Sequence, residues 1–79
     1  MKEPLEVTAH FDQHGKITPV DFTWEGQKFH VDTTGRHWED ESGFHILVMV
    51  PSDQVFEIIY VPSEARWYLG SFGKQHSRA

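Results

Sequence analysis

Cysteine is absent from this 79-residue chain. Its absence excludes disulfides, thiolate catalysis and a thiolate-ligated zinc site, and suits a reducing cytoplasm. Basic residues are few: seven Lys and Arg stand against twelve Asp and Glu, for a formal net charge of -5. That balance opposes electrostatic capture of nucleic acid or an anionic membrane, and favours a protein or cationic partner. Long apolar runs are missing too. The longest, ILVMV at residues 46–50, is far too short to span a bilayer. The opening MKEPLEVTAHF carries Lys2, Glu3 and Glu6 and lacks the apolar stretch of a signal peptide. A soluble, cytoplasmic protein is the expectation. No segment shows helical periodicity, and there is no internal repeat, low-complexity tract or interdomain linker.

The patterning that is present has period two. Leu5, Val7, Ala9 and Phe11 alternate with Glu6, Thr8 and His10, as in a half-buried strand, and DQHG at residues 12–15 makes a turn. In KITPVDFTW, Ile17 and Val20 are an odd number of residues apart with Pro19 between them. A bulge there would turn both inward. FTWEGQKFHV, residues 22–31, sets aromatic rings beside an imidazole, yet a two-residue Glu25-Gly26 hairpin loop separates them. It pairs Trp24 with Gln27, Phe22 with Phe29 and Val20 with Val31 on an apolar face, and Asp21 with His30 and Thr23 with Lys28 on a polar one. The rings belong to the core and His30 to a solvated row.

After a turn at residues 33–35 and a short segment around His37 and Trp38 come the strongest strands, GFHILVMV and QVFEIIYV. Pairing Val50 with Val55 collects Phe44, Ile46, Val48, Ile59 and Val61 on one face and Leu47, Met49, Phe56, Ile58 and Tyr60 on the other. Glu57 falls with the first set, which marks that face as the outer one, since a lone carboxylate is costly in a core. The closing strand RWYL places Trp67 near Tyr60 and Leu69 near Ile58. The whole predicts one all-β domain over residues 1–79, with its core within residues 4–70 and a disordered polar tail at 71–79. Its architecture is a single antiparallel meander of about six strands, either a strongly bent sheet or a partly closed barrel.

An aromatic-Trp-x-Gly hairpin, a later Trp, the strands FHILVMV and VFEIIYV and the closing RWYL together resemble a small bacterial β domain of unknown function, DUF6504, over about residues 20–69. The chain departs from that pattern in its acidic balance and in having His37 where an arginine precedes the Trp. The resemblance implies a bacterial cytoplasmic setting and company with DNA-repair machinery, since the family also occurs attached to Y-family polymerase-like mutagenesis proteins. It implies no activity.

Six histidines invite a metal hypothesis. His10 and His14 have the i,i+4 spacing of a zincin helix, but Phe11 stands where the Glu base belongs and the segment reads as strand and turn. His30, His37 and His45 lie on successive strands and converge only in a favourable register; scattered surface histidines are the simpler account. Asp21, His30 and Thr23 imitate a catalytic set without a cleft or an oxyanion hole. Phe22, Trp24, Phe29, Trp38, Phe44, Phe56, Tyr60, Trp67 and Tyr68 include possible stacking platforms for bases, but no basic groove accompanies them. The expected function is a non-catalytic protein-interaction or accessory module without cofactor or metal. Its interaction face is Phe44, Ile46, Val48, Ile59 and Val61, facing a protein partner or a second copy. A nucleic-acid-associated accessory domain is the alternative, and a histidine-based metal-binding protein stands behind it.

Overall fold

Every segment with period-two patterning forms a strand. The computed structural model describes residues 3–74, with side chains through residue 71, and among these there are seven strands and no helix. The strands are β1 (Glu3–Phe11), β2 (Ile17–Trp24), β3 (Gln27–His30), β4 (Thr33–Asp40), β5 (Gly43–Val50), β6 (Gln54–Val61) and β7 (Arg66–Lys74). Among the described residues no helix is long and apolar enough to cross a membrane. β7 continues through residues 71–74, where a polar tail was expected; the remainder of that tail, residues 75–79, lies outside the described residues.

All strands join one antiparallel sheet in the order β3-β2-β1-β7-β6-β5-β4. Two meanders, β1 to β3 and β4 to β7, meet where the first and last strands pair. β1 serves both: Glu3, Pro4 and Leu5 face Leu69, Tyr68 and Trp67, whereas its later residues pair with β2 alone. Sharing a strand in this way bends the sheet onto itself. The two sheet edges, β3 and β4, are consecutive in the chain and are joined by Val31 and Asp32. At that corner the Val31 N–H donates to the Val20 carbonyl at 2.9 Å and the Asp32 N–H to the Met49 carbonyl at 2.7 Å. The result is a strongly curled half-barrel with one strand more than six. The additional strand is β4, which runs through the expected turn by way of a bulge between Thr34 and His37.

The hairpin of β2 and β3 has the expected register: Trp24 opposite Gln27, Phe22 opposite Phe29 and Asp21 opposite His30. Glu25 and Gly26 both adopt positive φ, 52° and 75°, as a twist-matched two-residue loop requires. The bulge in β2 is present, but it acts differently from the expectation. Pro19 pairs with Ala9 and Asp21 with Thr8, so Val20 is the extra residue; Pro19 turns inward and Val20 stays 38% exposed. Phe11, expected on the inward face, lies at the end of β1 half exposed, with its edge against Tyr60.

The hairpin of β5 and β6 overturns the expected face. Val50 pairs with Gln54, not Val55, which leaves a three-residue loop whose last residue, Asp53, has φ 69°. A type I turn closed by the Asp53 N–H to the Val50 carbonyl and followed by a left-handed residue is a standard three-residue connection. One residue of slip moves every side chain of one strand to the other face. Ile46, Val48 and Val50 therefore share the core with Phe56 and Ile58, and Phe44 lies on the same side opposite Tyr60. His45, Leu47 and Met49 face outward with Val55, Glu57 and Ile59. The set Phe44, Ile46, Val48, Ile59 and Val61 is thus split, and it is not one surface. Tyr60 opposite Trp67 and Ile58 opposite Leu69 are as expected. The centre of the core is aromatic: Phe56, fully buried, has its ring centroid 4.9 Å from Phe22, 5.0 Å from Phe29 and 5.7 Å from Trp24.

Candidate functional site

The outer face of β4, β5 and β6 carries a buried imidazole. His45 is 6% exposed, with Nδ1 2.6 Å from Glu57 Oε2 and Nε2 2.9 Å from Asp40 Oδ1. Trp38, directly across the ladder in β4, stacks on the ring at 4.9 Å and 12°. Burial disfavours the imidazolium, but its hydrogen bonds to Glu57 and Asp40 outweigh that and raise the pKa above the ordinary 6.5. Asp40 Oδ1 accepts from the Ser42 hydroxyl, from His45 and from the Ser42 N–H, which together hold that carboxyl at about 2. Ser71 donates to the other oxygen of Glu57 at 3.0 Å. Gly43 makes this turn possible: its φ is +134°, and a Cβ there would collide with the Tyr60 carbonyl.

Ser42, His45 and Glu57 look at first like a nucleophile, base and orienter, with Ser42 Oγ 3.0 Å from His45 Nε2. The hydrogen bonding gives His45 a different part. Asp40 accepts the hydrogen bond of the serine hydroxyl at 2.7 Å and also lies 2.9 Å from Nε2, so the hydroxyl is turned toward the carboxylate and both ring nitrogens face carboxylate oxygens, an arrangement that suits an imidazolium donor rather than a general base. The network works as an electrostatic clamp that ties the β4–β5 turn to β6. The sequence missed this cluster, because seeing it requires the true register. Once Val50 is set opposite Gln54, the five-residue spacing of Asp40 and His45 across a tight turn is the signal that finds it.

The histidines of the metal hypothesis do not converge. His37 pairs with Ile46 on the inner side of β4, His45 points outward from β5, and His30 lies across the sheet edge on β3. Among the described residues no group of three or more His, Asp or Glu is placed to hold a metal ion. Asp40 and Glu57 bind opposite ends of one imidazole, so their oxygens do not aim at a common point. Asp21 and His30 do sit across from one another, with Thr23 two residues along, on an open surface strand.

A second feature arises from incomplete closure. Between the start of β2 and β4 the half-barrel gapes into a groove of about 610 Å³. One wall is the start of β2, around Ile17 and Thr18, and the other is β4, around His37 and Glu39; Phe44 and Ile46 line it between them. Among the described residues β3 pairs only with residues 21–24 of β2 and β4 only with β5, so strand edges bound the groove on both sides. All eight residues of β4 are exposed. Among the described residues the exposed large apolar side chains are Phe11, Val20 and Trp38, and the last stands on this strand.

No family model, no curated protein and no solved structure matches this chain.

Proposed function

We propose that this protein is a non-catalytic interaction module that takes up an extended protein segment along the open edge of β4. The observation that carries the reading is the pair of unpaired strand edges around an apolar-lined groove. Backbone N–H and C=O groups along such an edge form a template for another strand, and the apolar lining offers pockets for alternate side chains. The net charge of -5 favours a cationic segment over nucleic acid. The DUF6504-like pattern of residues 20–69 fits an accessory role in a bacterial cytoplasm beside DNA-repair proteins.

The test is selection of displayed random linear peptides against the purified protein, with the bound site mapped by amide chemical shifts and hydrogen exchange. The reading expects selected peptides to alternate apolar residues and to slow exchange along residues 34–39. Peptides that map to the convex face of β6 and β7, or a selection that yields none, would refute it. A single-stranded oligonucleotide binding with steep salt dependence would favour the nucleic-acid accessory role instead.

A further inference from the structure

We infer that the edge of β4 pairs antiparallel with the same edge of a second copy of the chain, about a two-fold axis at Trp38. This rests on the interaction-module reading and names the partner. Residues 36–40 read Arg, His, Trp, Glu, Asp, so that charge reverses sign about the tryptophan. Centred there, an antiparallel ladder sets Arg36 against the partner's Asp40, His37 against the partner's Glu39, and Trp38 against its own counterpart. Opposite charges directly across a ladder stabilise it, as do paired aromatics, whereas like charges oppose it. No pair in this register sets like charges together.

The faces agree. Trp38 stacks outward on His45, the Arg36 guanidinium lies 6.0 Å from the Trp38 ring centroid, and Asp40 bonds His45 on the same side. His37 and Glu39 pair with Ile46 and Phe44 on the inner side. The two-fold therefore keeps outer face with outer and inner with inner, and one sheet continues through both copies. The three bonds to Asp40 from His45 and Ser42 all fall on Oδ1, which leaves Oδ2 for the incoming Arg36. That carboxyl is ionised across the working pH range.

Alternative pairings are worse. A parallel arrangement sets Arg36 on Arg36 and Glu39 on Glu39. The nearest antiparallel registers that keep the faces together set His37 on His37 or Glu39 on Glu39. Edge strands are guarded by proline, by charges, lysine above all, and by bulges; residues 36–40 carry no proline or lysine, and their charges are of both signs, so they meet as opposites in this register. The bulge between Thr34 and His37 limits the ladder to this short segment. It predicts a modest, reversible dimer.

The experiment is sedimentation equilibrium of the full chain over micromolar to millimolar concentrations, with far-ultraviolet CD confirming the fold of each variant. Wild type should dimerise with rising concentration. His37→Glu should weaken the dimer about tenfold or more, because it sets carboxylate against carboxylate twice, and Glu39→Lys should weaken it too, because it removes both carboxylates that His37 faces. Mixing those two variants should restore association, since the introduced carboxylate then meets the introduced ammonium. A wild type that stays monomeric at millimolar concentration, variants that dimerise as wild type does, or a mixture that fails to regain association would each overturn the inference. A monomeric wild type that still took up displayed peptides at β4 would overturn the dimer alone and leave the module reading standing.

Discussion

Adjacent residues Leu47 and Val48 give the sharpest test of the packing. In the observed register Val48 is fully buried between the two halves of the core, whereas Leu47 is half-buried on the outer face opposite Glu57. Val48→Ala removes two buried methyl groups at about 0.8 kcal/mol each and leaves a cavity that a close-packed centre fills only partly, for a cost of about 2 to 3 kcal/mol. Leu47→Ala removes three carbons, much of whose surface already meets water, and costs about 1 kcal/mol. The smaller deletion is the more damaging. With about 3 to 5 kcal/mol of total stability for a domain of this length, Val48→Ala should lose roughly half of it. Urea unfolding followed by tryptophan fluorescence, with m held constant between variants, measures both differences. In thermal terms the midpoint should fall by about 10 to 20 °C for Val48→Ala and about 5 °C for Leu47→Ala. A greater loss for Leu47→Ala would refute the reasoning and restore the register with Val50 opposite Val55.

Three further expectations rest on single sites. Ile46→Asp places a carboxylate on the core face beside Ile58 and should abolish the cooperative melt by CD; a folded variant would mean that Ile46 is at the surface. Gly43→Ala meets both a φ of +134° and the Tyr60 carbonyl, and should cost at least about 2 kcal/mol in urea, while a near-native midpoint would contradict the turn geometry. The His45 clamp should set the pH profile of stability. Its raised pKa makes the His45 contribution complete below about 6.5 and removes it as pH climbs through the folded value, whereas the lowered pKa of Asp40 gives a contribution present above 3.8 and lost as pH falls toward about 2. Stability should therefore plateau between about pH 4 and 6.5 and decline on the alkaline side, and His45→Gln should flatten that alkaline decline; an unchanged profile would show that the imidazole carries no charge in the fold.

The sequence revealed what depends on local chemistry. Glu25-Gly26 admits one short loop, and from it the register of β2 and β3 follows pair by pair. Tyr60 opposite Trp67 and Ile58 opposite Leu69 were legible because both strands are dense in large apolar residues. The β5–β6 register was not, because both faces of that hairpin are apolar and the alternation offers nothing to choose between them. The choice lay in the loop, where Asp53 takes a left-handed conformation that Asp tolerates better than most residues. The candidate face fell with that register, and so did sight of the His45 clamp. β4 was missed as a full strand because Gly35 and a bulge interrupt its alternation, and its edge position depends on the pairing of β1 with β7, a long-range contact that no local pattern encodes.

Amide hydrogen exchange of residues 33–40 as a function of protein concentration tests the central claim most directly. The account predicts that the outward-facing backbone amides of β4 exchange rapidly in dilute solution, as free edge groups do, and become protected at high concentration, while those bonded to β5 stay protected throughout. Outward amides of β4 that are protected even at the lowest concentration would show that the half-barrel closes on itself, and would contradict both the open edge and the function built on it.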